Sequence, residues 1–214
     1  MKRRTANPSS VVPCPSIQEA ALQSVRDDAA IDGLLFEQDA LENLDASMLD
    51  FAGCIFRRVR FAELRFDRIH LSNCRFEQCD LSGMAFRDGT ISRTEFIACR
   101  CAGCTFDRMK LRDVLFREAQ LRYFTLSDCH LERTAFEDCD LSHAMLFHTA
   151  QKELELLRCS LTGTEFQATP LAGVDLSTCA LEGISTVPEL LRGTTIALEQ
   201  APLLMPLFGI SLKL

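Results

Sequence analysis

"FAGCIFRRVRFAELRFDRIHLSNCRFEQCDLSGMAF", residues 51–86, places a large apolar residue at every fifth position: Phe51, Phe56, Phe61, Phe66, Leu71, Phe76, Leu81 and Phe86. The phase extends back through Leu41, Phe36 and Ile31. It extends forward through Ile91, Phe96, Cys101, Phe106 and onward to Leu181, without insertion or deletion. One polar residue, Gln151, interrupts it. Two places before each of these residues stands a smaller, mostly apolar one, as at Cys54, Val59, Leu64, Ile69, Cys74 and Cys79. The other three places of the unit are mostly Asp, Arg, Ser, Glu or Gly.

A period of five matches neither the 3.6-residue helix nor the two-residue strand. A helix would rotate an i, i+5 series by about 140° per step and scatter it round the surface. The pattern needs a chain that turns a corner every five residues, so that four segments close a square coil of twenty. Two residues of each five then point inward. One coil cannot bury them alone, but coils stacked at about 4.8 Å make a continuous core. Phe36, Phe56, Phe76, Phe96, Phe116 and Phe136 are each twenty apart and are expected to form one column of rings.

This unit resembles the pentapeptide-repeat family, whose fold is an all-β solenoid, a right-handed quadrilateral β-helix. The resemblance covers residues 31–196. It implies about eight coils and a rod of roughly 40 Å.

Both open ends of a solenoid expose unpaired backbone and need caps. Residues 1–15, with Pro8, Pro13, Pro15 and three serines, read as a flexible N-terminal tail. Residues 16–30 suit a short helix under the first coil. Residues 197–214, "ALEQAPLLMPLFGISLKL", leave the five-residue phase. Leu198, Leu203, Leu204, Leu207 and Phe208 could share one side of a short helix, Gly209 suits its stop, and "ISLKL" alternates like a terminal strand. Gln200, Ala201, Leu203, Leu204, Gly209 and Ile210 resemble the ending of the Qnr-type topoisomerase-protecting proteins and their antibiotic self-immunity relatives. That resemblance implies a head-to-head homodimer, with Leu198, Leu203, Leu204, Leu207, Phe208 and Ile210 at its interface. Pro206 departs from the pattern, because it removes an N–H that a helix would use.

The chain has eleven cysteines, three of them in "CRCAGC", 99–104. Nine occupy the small inward place: Cys54, Cys74, Cys79, Cys99, Cys104, Cys129, Cys139, Cys159 and Cys179. Free Cys is a small, readily buried hydrophobe, so packing is the expected role. A zinc site needs converging ligands, and successive cysteines here point from different walls. The basic start lacks the apolar core of a secretory signal, so reduced thiols in the cytoplasm are expected. His70, His130, His143 and His148 take outward places. With no phosphate loop and no nucleophile–base pattern, the reading is a non-enzymatic protein without a cofactor or metal. The content is 47% hydrophobic, yet no apolar run approaches the roughly 18 residues of a membrane span.

Charge carries the functional expectation. The net charge of −7 argues against direct nucleic-acid binding. Residues 31–125 hold 15 acidic and 14 basic residues; residues 126–197 hold 11 and 4. Acidic halves joined C-terminus to C-terminus would put an acidic stripe at the middle of a rod of roughly 80 Å. Such a stripe would attract a basic DNA-binding saddle. Duplex DNA of that length carries close to 50 charges, whereas a dimer of this chain carries twice −7. Shape would therefore have to contribute. The Qnr-type resemblance implies DNA mimicry and a type II topoisomerase partner, DNA gyrase or topoisomerase IV, protected from quinolone-like or natural-product inhibitors. The acidic candidates are Glu132, Glu137, Asp138, Asp140, Glu153, Glu155, Glu165, Asp175 and Glu182, and one wall cannot contain them all. The rival expectation is a structural or interaction scaffold, or a secreted effector, with no topoisomerase role. The segment around Gln151 marks one irregular coil, readable as a bulge or as a partner-contact loop.

Overall fold

The computed structural model of the chain describes residues 6–213. Most five-residue units as far as Gln167 are a short strand and a corner, paired in parallel at twenty-residue spacing; the third wall beyond Ala62 and the last coils are turns joined by single parallel bridges, such as Asp80 with Arg100. Phe36 pairs with Phe56, Phe56 with Phe76, Phe76 with Phe96, Phe96 with Phe116 and Phe116 with Phe136, without slippage. The result is a four-walled β-solenoid of about eight turns. The first wall is centred on Phe51, Leu71 and Ile91 and their column. The second is centred on the phenylalanine series from Phe36, the third on Leu41, Phe61 and Leu81, and the fourth on Phe66, Phe86 and Phe106.

The corners explain how the backbone sustains so short a period. Corner residues take left-handed φ even where they are not glycine, as at Arg58 (53°), Tyr123 (58°) and Asp138 (55°). That conformation costs an ordinary residue roughly 1–2 kcal/mol. It persists because the corner N–H bonds into the next coil: Arg58 N–H to the Glu77 carbonyl at 2.8 Å, Asp138 N–H to that of Leu157 at 2.9 Å.

The core is the predicted ring column. Successive rings from Phe56 to Phe136 stack at 4.4–4.9 Å, with planes 6–15° apart. Ten of the eleven cysteines are buried, and all are free thiols. They do more than fill space. The Cys99 thiol donates to the Phe76 carbonyl (3.5 Å), Cys139 to that of Phe116 (3.5 Å) and Cys159 to that of Phe136 (3.3 Å). Cys101, at a centre slot, is buried with the rest and meets the Cys104 thiol.

Three segments differ from the sequence expectations. The tail expected over 1–15 is fixed along its described part; residues 1–5 of it lie outside the described residues. Strand β1, Val12–Pro13, adds to the edge of the first coil. Val12 N–H reaches the Gly33 carbonyl at 2.8 Å and Cys14 N–H that of Leu35 at 2.9 Å. Pro13 is tolerated because its missing N–H faces away from the ladder. Helix α1, Ile17–Asp27, follows, capped by the Ser16 hydroxyl and burying Ile17 and Ala21.

Gln151 makes no bulge. It sits in register between Ala150 and Lys152, paired to Leu131. Its side chain instead donates to the carbonyls of Pro170 (3.3 Å) and Ala172 (3.0 Å) in the next coil. Pro170 has no N–H for the Thr149 side of the ladder, and the glutamine secures the strand from its other side.

At the C-terminus, helix α2, Ala201–Leu204, gives way at Pro206 to a 3-10 turn, Met205–Phe208, which ends on left-handed Gly209. Residues 210–213 form no strand, and Leu214 lies outside the described residues. The carbonyls of Leu176 and Cys179, on the last full coil, are already taken by the Gln200 side chain (2.9 and 2.7 Å).

Candidate functional site

The nine acidic candidates fall on all four sides of the rod. The second wall and its corners gather Glu137, Asp138, Glu153, Glu155 and Asp175. Glu132 belongs to the first wall, Asp140 and Glu182 to the third, and Glu165 to the fourth. Glu155, Asp175, Glu153, Asp138 and Glu182 are exposed; Glu132, Glu137, Asp140 and Glu165 are half-buried.

Stacking at twenty-residue spacing sets their electrostatics. A side chain on one coil lies beside its counterpart on the next, and several acids meet an arginine there. Glu137 accepts from Arg117 at 2.9 Å. Asp138 is held by both arms of Arg158 at 2.6 Å, and that hydrogen bond holds its carboxyl below the usual range. Glu132 pairs with Arg133 and lies 3.5 Å from Arg112; its carboxyl is lowered, first by the Arg133 hydrogen bond. Asp140 and Asp175 accept the N–H of Ser142 and Ser177 at 3.0 and 2.9 Å, so part of their role is local turn geometry. The acidic half of the rod is thus laced with its own arginines. Arg112 and Arg117, which lie before residue 126, offset two further acids of that half.

The C-terminal cap hangs on Gln200, which is buried and also accepts the Ala197 N–H at 2.7 Å. This hook presents Leu198, 88% exposed, together with Leu203, Phe208 and Ile210 on the outside. Leu204 faces the other way, 5% exposed in the chain's own core, and Leu207 packs partly against that core. Leu204 thus anchors the cap, and Leu207 is only partly covered. Leu212, outside the expected interface, is exposed beside it in sequence.

Sequence reasoning missed two surface features. The Tyr123 and His143 rings stack in the open at 5.3 Å. Their twenty-residue spacing is the signal that could have found them. The second is the docking of residues 6–13, for which the sequence carries no periodic signal. Among the described residues, no helix is long and apolar enough to cross a membrane. None of them form a group of three or more His, Cys, Asp or Glu able to hold a metal.

Comparison with known proteins agrees with this architecture. A family model described as a pentapeptide repeat region matches twice, over residues 49–126 and 69–146. No curated protein matches the sequence. Among solved structures, HetL, a pentapeptide-repeat protein involved in heterocyst differentiation regulation from the cyanobacterium Nostoc sp. strain PCC 7120, superposes with a TM-score of 0.55. It is 16% identical, over 81% of this chain and 92% of HetL. Trypsin-treated QnrB1, a plasmid-mediated fluoroquinolone resistance protein, superposes with a TM-score of 0.50 at 21% identity, over 86% of this chain and 98% of its own. At these identities the likeness is one of fold. With the unbroken five-residue register, the four-walled coil and the family match, residues 49–146 are a pentapeptide repeat region.

Proposed function

We propose that the protein is a non-enzymatic, DNA-mimicking binding protein of the cytoplasm that docks on the DNA-binding surface of a type II topoisomerase, DNA gyrase or topoisomerase IV, and confers antibiotic resistance by protecting it. The observation that carries this reading is the combination of a straight charged rod, an acid-rich C-terminal half and a cap whose apolar residues point outward. Leu198, Leu203, Phe208 and Ile210 would join two rods head to head, placing Glu155, Asp175 and Glu153 near the centre. The ending around Gln200, which resembles that of Qnr-type chains, and the shared fold with QnrB1, itself a fluoroquinolone resistance protein, support the choice of partner. A supercoiling assay with purified gyrase and ciprofloxacin, or a natural-product poison, tests it. Protection or inhibition that follows protein concentration is expected. Neither protection nor gyrase binding at micromolar protein would remove the reading.

A second reading is favoured by the ion pairs themselves. Arg112, Arg117 and Arg158, stacked on Glu132, Glu137 and Asp138, suit an interaction scaffold whose surface charge serves mainly the rod. HetL, linked by its name to the regulation of differentiation, has the same fold. A partner recovered with this protein that is unrelated to topoisomerases, combined with a null gyrase assay, would favour it.

A further inference from the structure

The corner between the third and fourth walls carries one column of residues: Gly83, Gly103, Tyr123, His143, Gly163 and Gly183. Each is bonded in register to the coil that follows. Gly83 N–H meets the Ala102 carbonyl, Gly103 N–H that of Arg122 and Tyr123 N–H that of Ser142, at 2.8, 2.8 and 3.1 Å. Two rings thus stand in a column otherwise made of glycine.

The core does not hold these rings. Tyr123 is 56% exposed, and His143 is exposed as well. They stack on each other at 5.3 Å with planes 14° apart. His143 leans toward the C-terminal end: a Cβ added at Gly163 would meet its Nδ1 at 2.7 Å. On the other side the space is open. A Cβ added at Gly103 or at Gly83 would meet nothing within 4 Å. The face of Tyr123 turned away from His143 therefore looks on to a bare strip two coils long, about 10 Å. Such a face takes a further ring with centroids about 4.5–7 Å apart.

Charge beside the strip decides what kind of ring. The Arg122 guanidinium carbon lies 5.8 Å from the Tyr123 centroid. Arg100 stands on the same coil as Gly103, three residues before it. Among the described residues neither is paired with a carboxylate, whereas Arg117 and Arg158 on the second wall and its corner are. The neighbouring acids of the third wall, Asp80 and Asp140, are turned onto the N–H groups of Ser82 and Ser142, each at 3.0 Å. A guanidinium beside an aromatic face suits a flat ligand with negative charge. The ring stacks, and the fork of N–H donors takes carboxylate or phosphate oxygens.

We propose that Tyr123, with His143 behind it and Arg122 beside it, is a stacking site for a planar aromatic ring that bears a carboxylate or a phosphate. The site stands apart from the topoisomerase reading: it needs neither the cap nor the acids of the second wall.

The chain has one tyrosine and no tryptophan, so the tyrosine ring signals in a proton spectrum report on this site alone. Two probes separate the sources of such a ligand, adenosine monophosphate for a nucleotide and 2-naphthoate for an aromatic carboxylate. Adenosine and 2-naphthol are their uncharged counterparts. A saturable shift of the Tyr123 ring signals at millimolar probe is expected. With adenosine monophosphate alone it assigns a nucleotide, with naphthoate alone an aromatic carboxylate. The uncharged counterparts should bind about threefold more weakly, the scale of one exposed ion pair. Arg122→Ser should remove that difference and leave the uncharged probes as they were. Tyr123→Leu, read from the line widths of the probe, should weaken binding about tenfold, the scale of one ring stack. No saturable shift with either anion overturns the proposal. So does equal affinity for each anion and its uncharged counterpart in the parent, or binding that survives Tyr123→Leu undiminished.

Discussion

The Cys129 thiol lies 3.2 Å from the carbonyl oxygen of Phe106, one coil and three residues earlier in the chain. The relationship repeats for Cys54 with Ile31, Cys74 with Phe51 and Cys79 with Phe56. Where the place holds threonine the hydroxyl takes over, from Thr164 to Leu141 (2.8 Å) and from Thr169 to Leu146 (3.1 Å). The small inward place therefore selects a compact side chain that can donate to a carbonyl. Cys129→Thr should leave the urea midpoint nearly unchanged, whereas the isosteric Cys129→Val should lose about 1 kcal/mol. Equal midpoints for the two variants would refute the donor role.

Burial also pushes the Cys129 thiol up, to about 11 from its ordinary 9.0. In the unfolded chain the thiol loses its proton near its ordinary value, while in the folded chain it keeps it. The contribution to stability is complete below about pH 9 and is lost as pH rises toward 11, at about 1.4 kcal/mol per pH unit for such a thiol. Urea midpoints should hold level from neutral pH to about pH 8 and then fall. The fall should be shallower in Cys129→Thr.

Gln151→Leu restores the apolar rhythm but strips the carbonyls of Pro170 and Ala172 of a donor, so it should destabilise by about 1–2 kcal/mol. Pro170→Thr returns an N–H that faces the Thr149 carbonyl, as Ala150 N–H meets Cys129 one coil earlier at 2.9 Å. That acceptor lies on the other side of the strand, so the double variant should not recover the loss. A double variant as stable as the parent would show that the glutamine stands in for the missing N–H.

The cap separates into a buried anchor and an exposed surface. Leu204→Asp and Gln200→Leu should speed amide exchange across 197–208. Leu198→Asp and Phe208→Asp should leave that exchange unchanged and convert a dimer to a monomer by light scattering. A parent chain that is monomeric at all accessible concentrations would contradict the head-to-head arrangement.

Two ion pairs of like geometry should differ in worth. Arg133 and Asp113 meet at 2.7 Å with side chains only 7% and 5% exposed, whereas Arg108 and Asp88 meet at 2.6 Å with about half of each exposed. Arg133→Met leaves a buried carboxylate with one partner fewer and should lower the melting temperature more than Arg108→Met. Added salt should shrink the second effect and spare the first. Equal shifts at low and high salt would contradict this.

The coil, its period of twenty and the ring column were determined by the sequence alone. Each is a local rule repeated without interruption: Phe56 and Phe76 must stack once every five residues turn one corner. The buried place of the cysteines followed from the same rule, but their donor role did not, because it depends on a carbonyl 23 residues away. Which acids share a face was legible from numbering modulo twenty. Their pairing with Arg117 and Arg158 was not, since side-chain reach decides whether stacked neighbours meet. Nor could composition place residues 6–13. Pro8 and Pro13 exclude a helix equally well for a free tail and for an edge strand, and only the carbonyls of Gly33 and Leu35 select the strand. At the other end, one leucine pair was split by tertiary structure. Leu203 faces solvent and Leu204 the core, because Gln200 ties the helix to the carbonyls of Leu176 and Cys179 in a single orientation.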